Sequence, residues 1–138
     1  MKIKKIITGI LILGIVGAFV AYKMYNKPHV NVREVPTDIV ISADKIVAQF
    51  SSDEITANSK YLDKIIEVKG VVSKLDVVEK KGIITLKTTD DFSSVLCHLS
   101  EEATKKISVL QMGHTITVKG ICTGYLMDVI LVKSEIIN

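Results

Sequence analysis

The chain has 138 residues, 48% of them hydrophobic, with 18 basic side chains against 15 acidic ones and a mean hydropathy of +0.37, which leaves room for one domain of ordinary size. The charge is unevenly divided: residues 1–41 carry six basic and two acidic side chains, net +4, while residues 42–138 carry 12 lysines, no arginine and 13 acidic residues, net −1. A nucleic-acid-binding domain ordinarily shows a basic footprint, because phosphate neutralisation and counterion release supply most of its affinity, and the C-terminal hundred residues lack that footprint in bulk.

From Ile6 to Tyr22 there is no charge over 17 positions, and Lys4, Lys5 and Lys23 bracket the run. Tyr22 and Tyr25 stand where interfacial aromatics belong. Residues 1–25 therefore read as an N-terminal transmembrane anchor, near the short limit for spanning a bilayer. A cleaved signal peptide is the rival, and it is disfavoured because Ala18 and Ala21 give the wrong spacing for a small-x-small site and bulky Tyr22, Met24 and Tyr25 follow. No cysteine follows the run, so lipid attachment of the lipoprotein type has no acceptor. Lys2, Lys4 and Lys5 outweigh Lys23 and Lys27, which puts the N-terminus in the cytoplasm and the remainder on the periplasmic or outer side of the cytoplasmic membrane. Gly9, Gly14 and Gly17 read as glycines that such helices tolerate rather than as a pairing motif.

Residues 26–41 hold both prolines, Pro28 and Pro36, and no sustained periodicity, so they read as an extended tether. Residues 42–138 are then the folded domain. Ser42 caps a helix over about 43–51, with Ile46, Val47 and Phe50 on one face. Ser52 and Asp53 cap a second over about 53–60.

Beyond Tyr61 the apolar period changes from helical to alternating. A first strand runs from Ile66 to about Val78, long enough that it must bend, with Gly70 as the natural bulge position. Glu79 to Gly82 supplies a hairpin turn, Ile83 to Thr88 a second strand, Thr89 to Asp91 a turn, and Phe92 to Leu99 a third strand. Ser100 to Ile107 reverts to helix, with Glu101 and Glu102 in the first turn where the helix dipole favours them, and Gln111 to Gly113 stops it. Thr115 to Cys122 and Asp128 to Ile137 complete five strands around the loop at Thr123 to Leu126.

Five strands with a helix between the third and fourth is the order of the OB-fold, a mainly β Greek-key barrel whose first strand pairs with both the second and the fourth. Gly70 and Gly120, each in a Val-Lys-Gly triplet, would stand at barrel corners. The linker Met24 to His29, the segment Ala57 to Gly70, the Val95-Leu-Cys-His98 strand and the stretch from Gly113 through Gly124 resemble the tRNA_anti-like OB-fold family of bacterial membrane-anchored or lipoprotein-like proteins. The resemblance covers nearly the whole chain. It implies the OB-fold and an envelope location, and kinship with the anticodon-binding domain of tRNA synthetases, which is a fold analogy for RNA binding. Ser134 occupies the position where the resemblance implies a third cysteine.

Cys97 and Cys122 are the only cysteines, and an exported location permits a disulfide. Both fall on inward faces, but in this barrel the fifth strand lies between the third and fourth, which favours buried free thiols over a pair needing Cα atoms within about 7 Å. No metal is expected, since only His98 and His114 stand near these cysteines. No cofactor is expected. His98, with Thr85 and Lys87 beside it and the loops carrying Lys80, Lys81 and Tyr125 at its flanks, marks the candidate ligand face, and the bland reading is a solvated surface. Phe50 and Phe92 read as core. Asp90–Asp91 and Glu101–Glu102 are explained by a turn and a helix start. No phosphate loop, HExxH or CxxC occurs, so no enzyme activity is expected. The function so read is a membrane-anchored binding module of the cell envelope for a protein, peptide or glycan. The alternatives are an oligonucleotide-binding protein and a structural subunit of a membrane complex.

Overall fold

The computed structural model describes residues 1–26 and 31–137. A helix, α1 (Lys2–Tyr25), buries none of its side chains. Over its most apolar window the mean hydropathy is 2.1, so it is long and apolar enough to cross a membrane. The sequence reading of residues 27–30 as part of a tether lies outside the described residues.

From Asn31 the chain turns rather than running out extended, with the Glu34 amide donating to the Asn31 carbonyl at 3.0 Å and Val32 1% exposed. Ile39 to Ile41, read from sequence as the end of the tether, join Ser42 in a strand, β1 (Ile39–Ser42), parallel to the start of β2 (Ile65–Val78) in the register Ile39 to Ile66. Two helices follow, α2 (Ala43–Ser52) and α3 (Glu54–Tyr61). Their caps are those the sequence announces: Ser42 Oγ accepts from the Lys45 amide, and Asp53 accepts from both the amide and the hydroxyl of Thr56. The Thr56 hydroxyl, then its amide, hold the Asp53 carboxyl below its ordinary range.

The remaining strands are β3 (Lys81–Lys87), β4 (Val95–Leu99), β5 (Thr115–Leu126) and β6 (Asp128–Ile136), with a short helix α4 (Glu101–Lys105) and a 3-10 turn between β4 and β5. The order is β2-β3-β4-β6-β5, and β5 returns to pair with β2, closing a five-stranded barrel in which β4 and β6 run parallel. This is the OB-fold. β1 adds a sixth strand beside β2 outside the closed circuit.

Long β2 serves two neighbours in succession, pairing through Ile65–Val71 with β5 and through Val71–Val78 with β3. The bulge that bends it lies at Ser73, where the register with β3 slips between Val72 and Lys74, and not at Gly70. Gly70 instead admits close neighbours: a Cβ there would stand 3.0 Å from Ala43 Cβ and 3.1 Å from Leu86 Cβ. Gly82, read as a turn residue, is likewise inside β3, where a Cβ would meet Leu99 Cδ1 at 2.9 Å and Ile107 Cδ1 at 3.1 Å. The hairpin itself needs only Glu79 and Lys80, both at positive φ, between the paired Val78 and Lys81.

The barrel interior is filled by Ile66, Val68, Val72, Ile84, Leu86, Val95, Cys97, Val118, Cys122, Val129 and Leu131, joined by Ile46, Val47, Phe50 and Tyr61 of the two helices. α2 packs across the end of the barrel that carries the β3–β4 loop, where Asp44 Oδ1 accepts from the Thr89 amide at 2.7 Å. α4 packs at the β2–β3 hairpin, where Thr104 Oγ1 accepts from the Gly82 amide at 2.9 Å.

Candidate ligand-binding face

Alternation along β3 turns Gly82, Ile84 and Leu86 inward and leaves Lys81, Ile83, Thr85 and Lys87 on the outer surface. On β4 it leaves Leu96 and His98 outside between the buried Val95, Cys97 and Leu99. Pairing sets these in two cross-strand rows, Lys74–Thr85–Leu96–Ile130 and Asp76–Ile83–His98. The rows mix hydroxyl, imidazole, aliphatic and singly charged groups. Lys74 and Asp76 pair at 3.1 Å, both well exposed, a contact worth little in free energy.

At one end of this face lies a cleft of about 300 Å³ lined by Ser73, Thr85, Lys87, Thr88, Asp90, Asp91, Phe92, Ser93 and Ser94. Two of the residues singled out from sequence, Thr85 and Lys87, therefore share one site. His98 is on the same face but opposite Ile83, outside the cleft lining. Lys80 and Lys81 lie at the other end of β3, roughly 20 Å away at the rise of a strand, so the lysines do not converge.

Tyr125 does not face outward. The register of β5 against β6 slips between Cys122 and Gly124, which reverses the phase of the alternation, and the Tyr125 ring stacks on Phe50 with centroids 5.6 Å apart and planes at 16°. Its hydroxyl lies 3.1 Å from Ser93 Oγ and 3.4 Å from Ser51 Oγ. It is a packing residue that supports the floor of the β3–β4 loop.

Phe92 corrects the sequence reading in the opposite sense. Expected in the core, it is 87% exposed, because β4 begins only at Val95. The loop that holds it is built from its own polar side chains. Asp90 Oδ1 accepts from the Phe92 amide at 2.8 Å, Thr88 Oγ1 donates to the Ser93 carbonyl, and Asp128 Oδ1 accepts from both the amide and hydroxyl of Ser94. The signal for this was present in the sequence: an Asp whose side chain caps the backbone two residues on is the Asx-turn, and it stands in a polar run, Thr-Thr-Asp-Asp-Phe-Ser-Ser. The cleft thus gathers one exposed aromatic ring, one lysine, two aspartates and several hydroxyls.

Cys97 and Cys122 are buried free thiols. Both pair with Leu131, from opposite sides, so β6 separates them by two strand spacings, about 10 Å. Burial pushes both thiols up from their ordinary pKa, and at Cys122 a hydrogen bond from the Gly124 amide offsets part of the rise while the Asp63 charge adds to it. Among the described residues no group of three or more His, Cys, Asp or Glu side chains could hold a metal ion.

The family model described as tRNA_anti-like matches residues 1–136. No protein of curated function matches the chain. Among solved structures, a lipoprotein of Klebsiella pneumoniae to which nucleic-acid binding is ascribed is similar at a TM-score of 0.61 and 15% identity, over 75% of this chain and 100% of that one. A protein of Leishmania major assigned as an aspartyl-tRNA synthetase is similar at 0.50 and 15% identity, over 88% of this chain but only 26% of that one. At these identities the likeness is one of fold.

Proposed function

This chain belongs to the tRNA_anti-like family, and we propose that it is a non-enzymatic binding module, held by α1 at the outer face of the cytoplasmic membrane and presenting the β3–β4 face of its barrel to a ligand of the cell envelope. The observation that carries the reading is α1 itself, a 24-residue apolar helix with no buried side chain that leads into a complete OB barrel. Lys2, Lys4 and Lys5 in the first turns of α1, against Lys23 and Lys27 at and beyond its other end, support this orientation. The lipoprotein nature ascribed to the similar Klebsiella pneumoniae protein agrees with an envelope location.

The binding face supports the same reading through its charge. Lys74, Lys81 and Lys87 are interleaved with Asp76, Asp90 and Asp91, so no stripe of positive potential runs along it, whereas a surface that tracks a phosphate backbone needs one. The second reading, oligonucleotide binding, draws on the exposed ring of Phe92 beside Lys87, since base stacking on an aromatic is the sequence-tolerant half of single-strand recognition.

An alkaline phosphatase fusion after residue 138 tests the orientation. Activity in intact cells supports the envelope reading; an inactive but full-length fusion overturns it and makes the oligonucleotide reading the one to pursue.

A further inference from the structure

We propose that the cleft beside Phe92 takes a neutral pyranose ring, stacked on the exposed phenyl face and held at its rim by Asp90, Asp91 and Thr85. The inference rests on the reading of the β3–β4 face as the binding surface and deepens it by naming the ligand class.

The first ground is the construction of the loop. Three separate side-chain-to-backbone interactions, from Asp90, Thr88 and Asp128, hold the segment on either side of Phe92. The underlying floor is fixed by Tyr125 against Ser93 and Phe50. A large apolar ring is thereby kept in solvent on a preorganised support, which lowers the ordering cost of binding.

The second ground is the polar complement. One Asp90 oxygen is taken by the Phe92 amide, which leaves its other oxygen and the exposed Asp91 carboxylate at the cleft, with the Thr85 hydroxyl on the strand below. Carboxylates accept charge-assisted bonds from hydroxyl donors. The negative face of a phenyl ring attracts the partial positive charge of axial C–H groups. A sugar ring offers both, an apolar C–H face and a rim of hydroxyl donors.

The third ground is charge. Two aspartates against one lysine make the cleft unfavourable for a phosphodiester, which brings one negative charge per nucleotide. A neutral ring meets no such repulsion. The volume of about 300 Å³ lies at the lower end of the range for small-ligand sites, which suits one or two rings at a time.

The chain contains no tryptophan, so Phe92→Trp in the full-length protein in detergent micelles gives a single reporter at the proposed stacking position. The probes are chitotetraose, a neutral oligosaccharide, and the single-stranded oligonucleotide dT10. The expected result is a saturable change in emission with chitotetraose, insensitive to salt between 50 and 500 mM, weakened about tenfold by Asp91→Ala and little altered by Lys80→Ala at the far end of β3. Calorimetric titration of the native chain and of Phe92→Ala, a surface change that leaves the core intact, should show the same binding and its loss. A response to dT10 alone, falling steeply with salt and with Lys87→Ala, overturns both this inference and the envelope reading. No response to either probe, in a chain whose phosphatase fusion is active, overturns the sugar site and leaves the envelope reading standing.

Discussion

The Lys119 ammonium, buried in β5, donates to the main-chain carbonyl of Val35, 84 residues earlier in the chain. Lys119 is flanked across the sheet by Glu67 on β2 and Glu135 on β6. Glu67 in turn accepts from the Thr37 hydroxyl at 2.7 Å, and Asp38 accepts from the Ile65 amide at 3.0 Å. Residues 32–38 are thus fastened to β2 and β5 by these polar contacts, by the Asp38 amide donating to the Ile65 carbonyl at 2.8 Å, and by the buried Val32. Lys119→Met removes the donor and leaves the Val35 carbonyl unpaired, at a cost of about 1–3 kcal/mol. Arg33 is the only arginine of the chain, so an arginine-specific protease reports on this fastening directly: the native chain should resist cleavage after Arg33, and Lys119→Met should be cut there while the barrel stays intact.

Gly120 and Ser134 touch across β5 and β6. A Cβ at Gly120 would stand 2.6 Å from Ser134 Oγ and 3.1 Å from Leu131 Cβ, and Ser134 Oγ is buried with no hydrogen-bond partner. Gly120→Ala should destabilise the barrel by about 1–3 kcal/mol, the usual cost of overpacking. Ser134→Ala should be neutral or stabilising, since it removes a buried hydroxyl that has nothing to bond. The double variant should recover part of the Gly120→Ala loss, because the shortest contact is gone. Urea unfolding of the four proteins closes the cycle, and strict additivity would contradict the contact.

The β2–β3 hairpin turns on Glu79 and Lys80, at φ 51° and 67°. Side chains pay for left-handed backbone by roughly 1–2 kcal/mol each, and the Asn-Gly pair is the sequence that such two-residue turns favour. Replacing Glu79-Lys80 with Asn-Gly should therefore raise the urea midpoint at unchanged slope. Because both side chains are exposed and far from the cleft, binding at Phe92 should not change.

How much of this was legible depended on whether the signal was local. The alternation of Ile66, Val68 and Val72, the caps Ser42, Asp53 and Ser100, and the five-strand order with one intervening helix all arise within a few residues of where they act, and each recurs in the structure. β1 was missed because its four residues have no pattern of their own; they become a strand only by pairing with Ile66–Lys69, which is a long-range event. Tyr125 reads as part of a loop at Thr123 to Leu126 flanking the ligand face, whereas β5 continues through Leu126 and a bulge between Cys122 and Gly124 turns the ring onto Phe50. Gly82 was spent on the turn, although its small size answers to Leu99 and Ile107 from beyond the next strand. Phe92 reads as core from its periodic apolar neighbours, where the neighbouring Asp90 determines a turn. The cleft is formed by the bulge at Ser73, which the sequence reading sets at Gly70, and by the loop around Phe92, so of its lining only Thr85 and Lys87 are legible.

On the proposed topology the barrel lies outside the cytoplasm, and the two native thiols make that directly measurable. Burial keeps Cys97 and Cys122 protonated and out of reach, so neither should react with a thiol reagent until the chain is unfolded, and an exposed Asn31→Cys becomes the one reactive position. In intact cells, after permeabilisation of any outer membrane, a membrane-impermeant maleimide should label Asn31→Cys and leave the parent chain unlabelled. Absence of labelling that is restored by lysis would put the barrel in the cytoplasm and contradict the account.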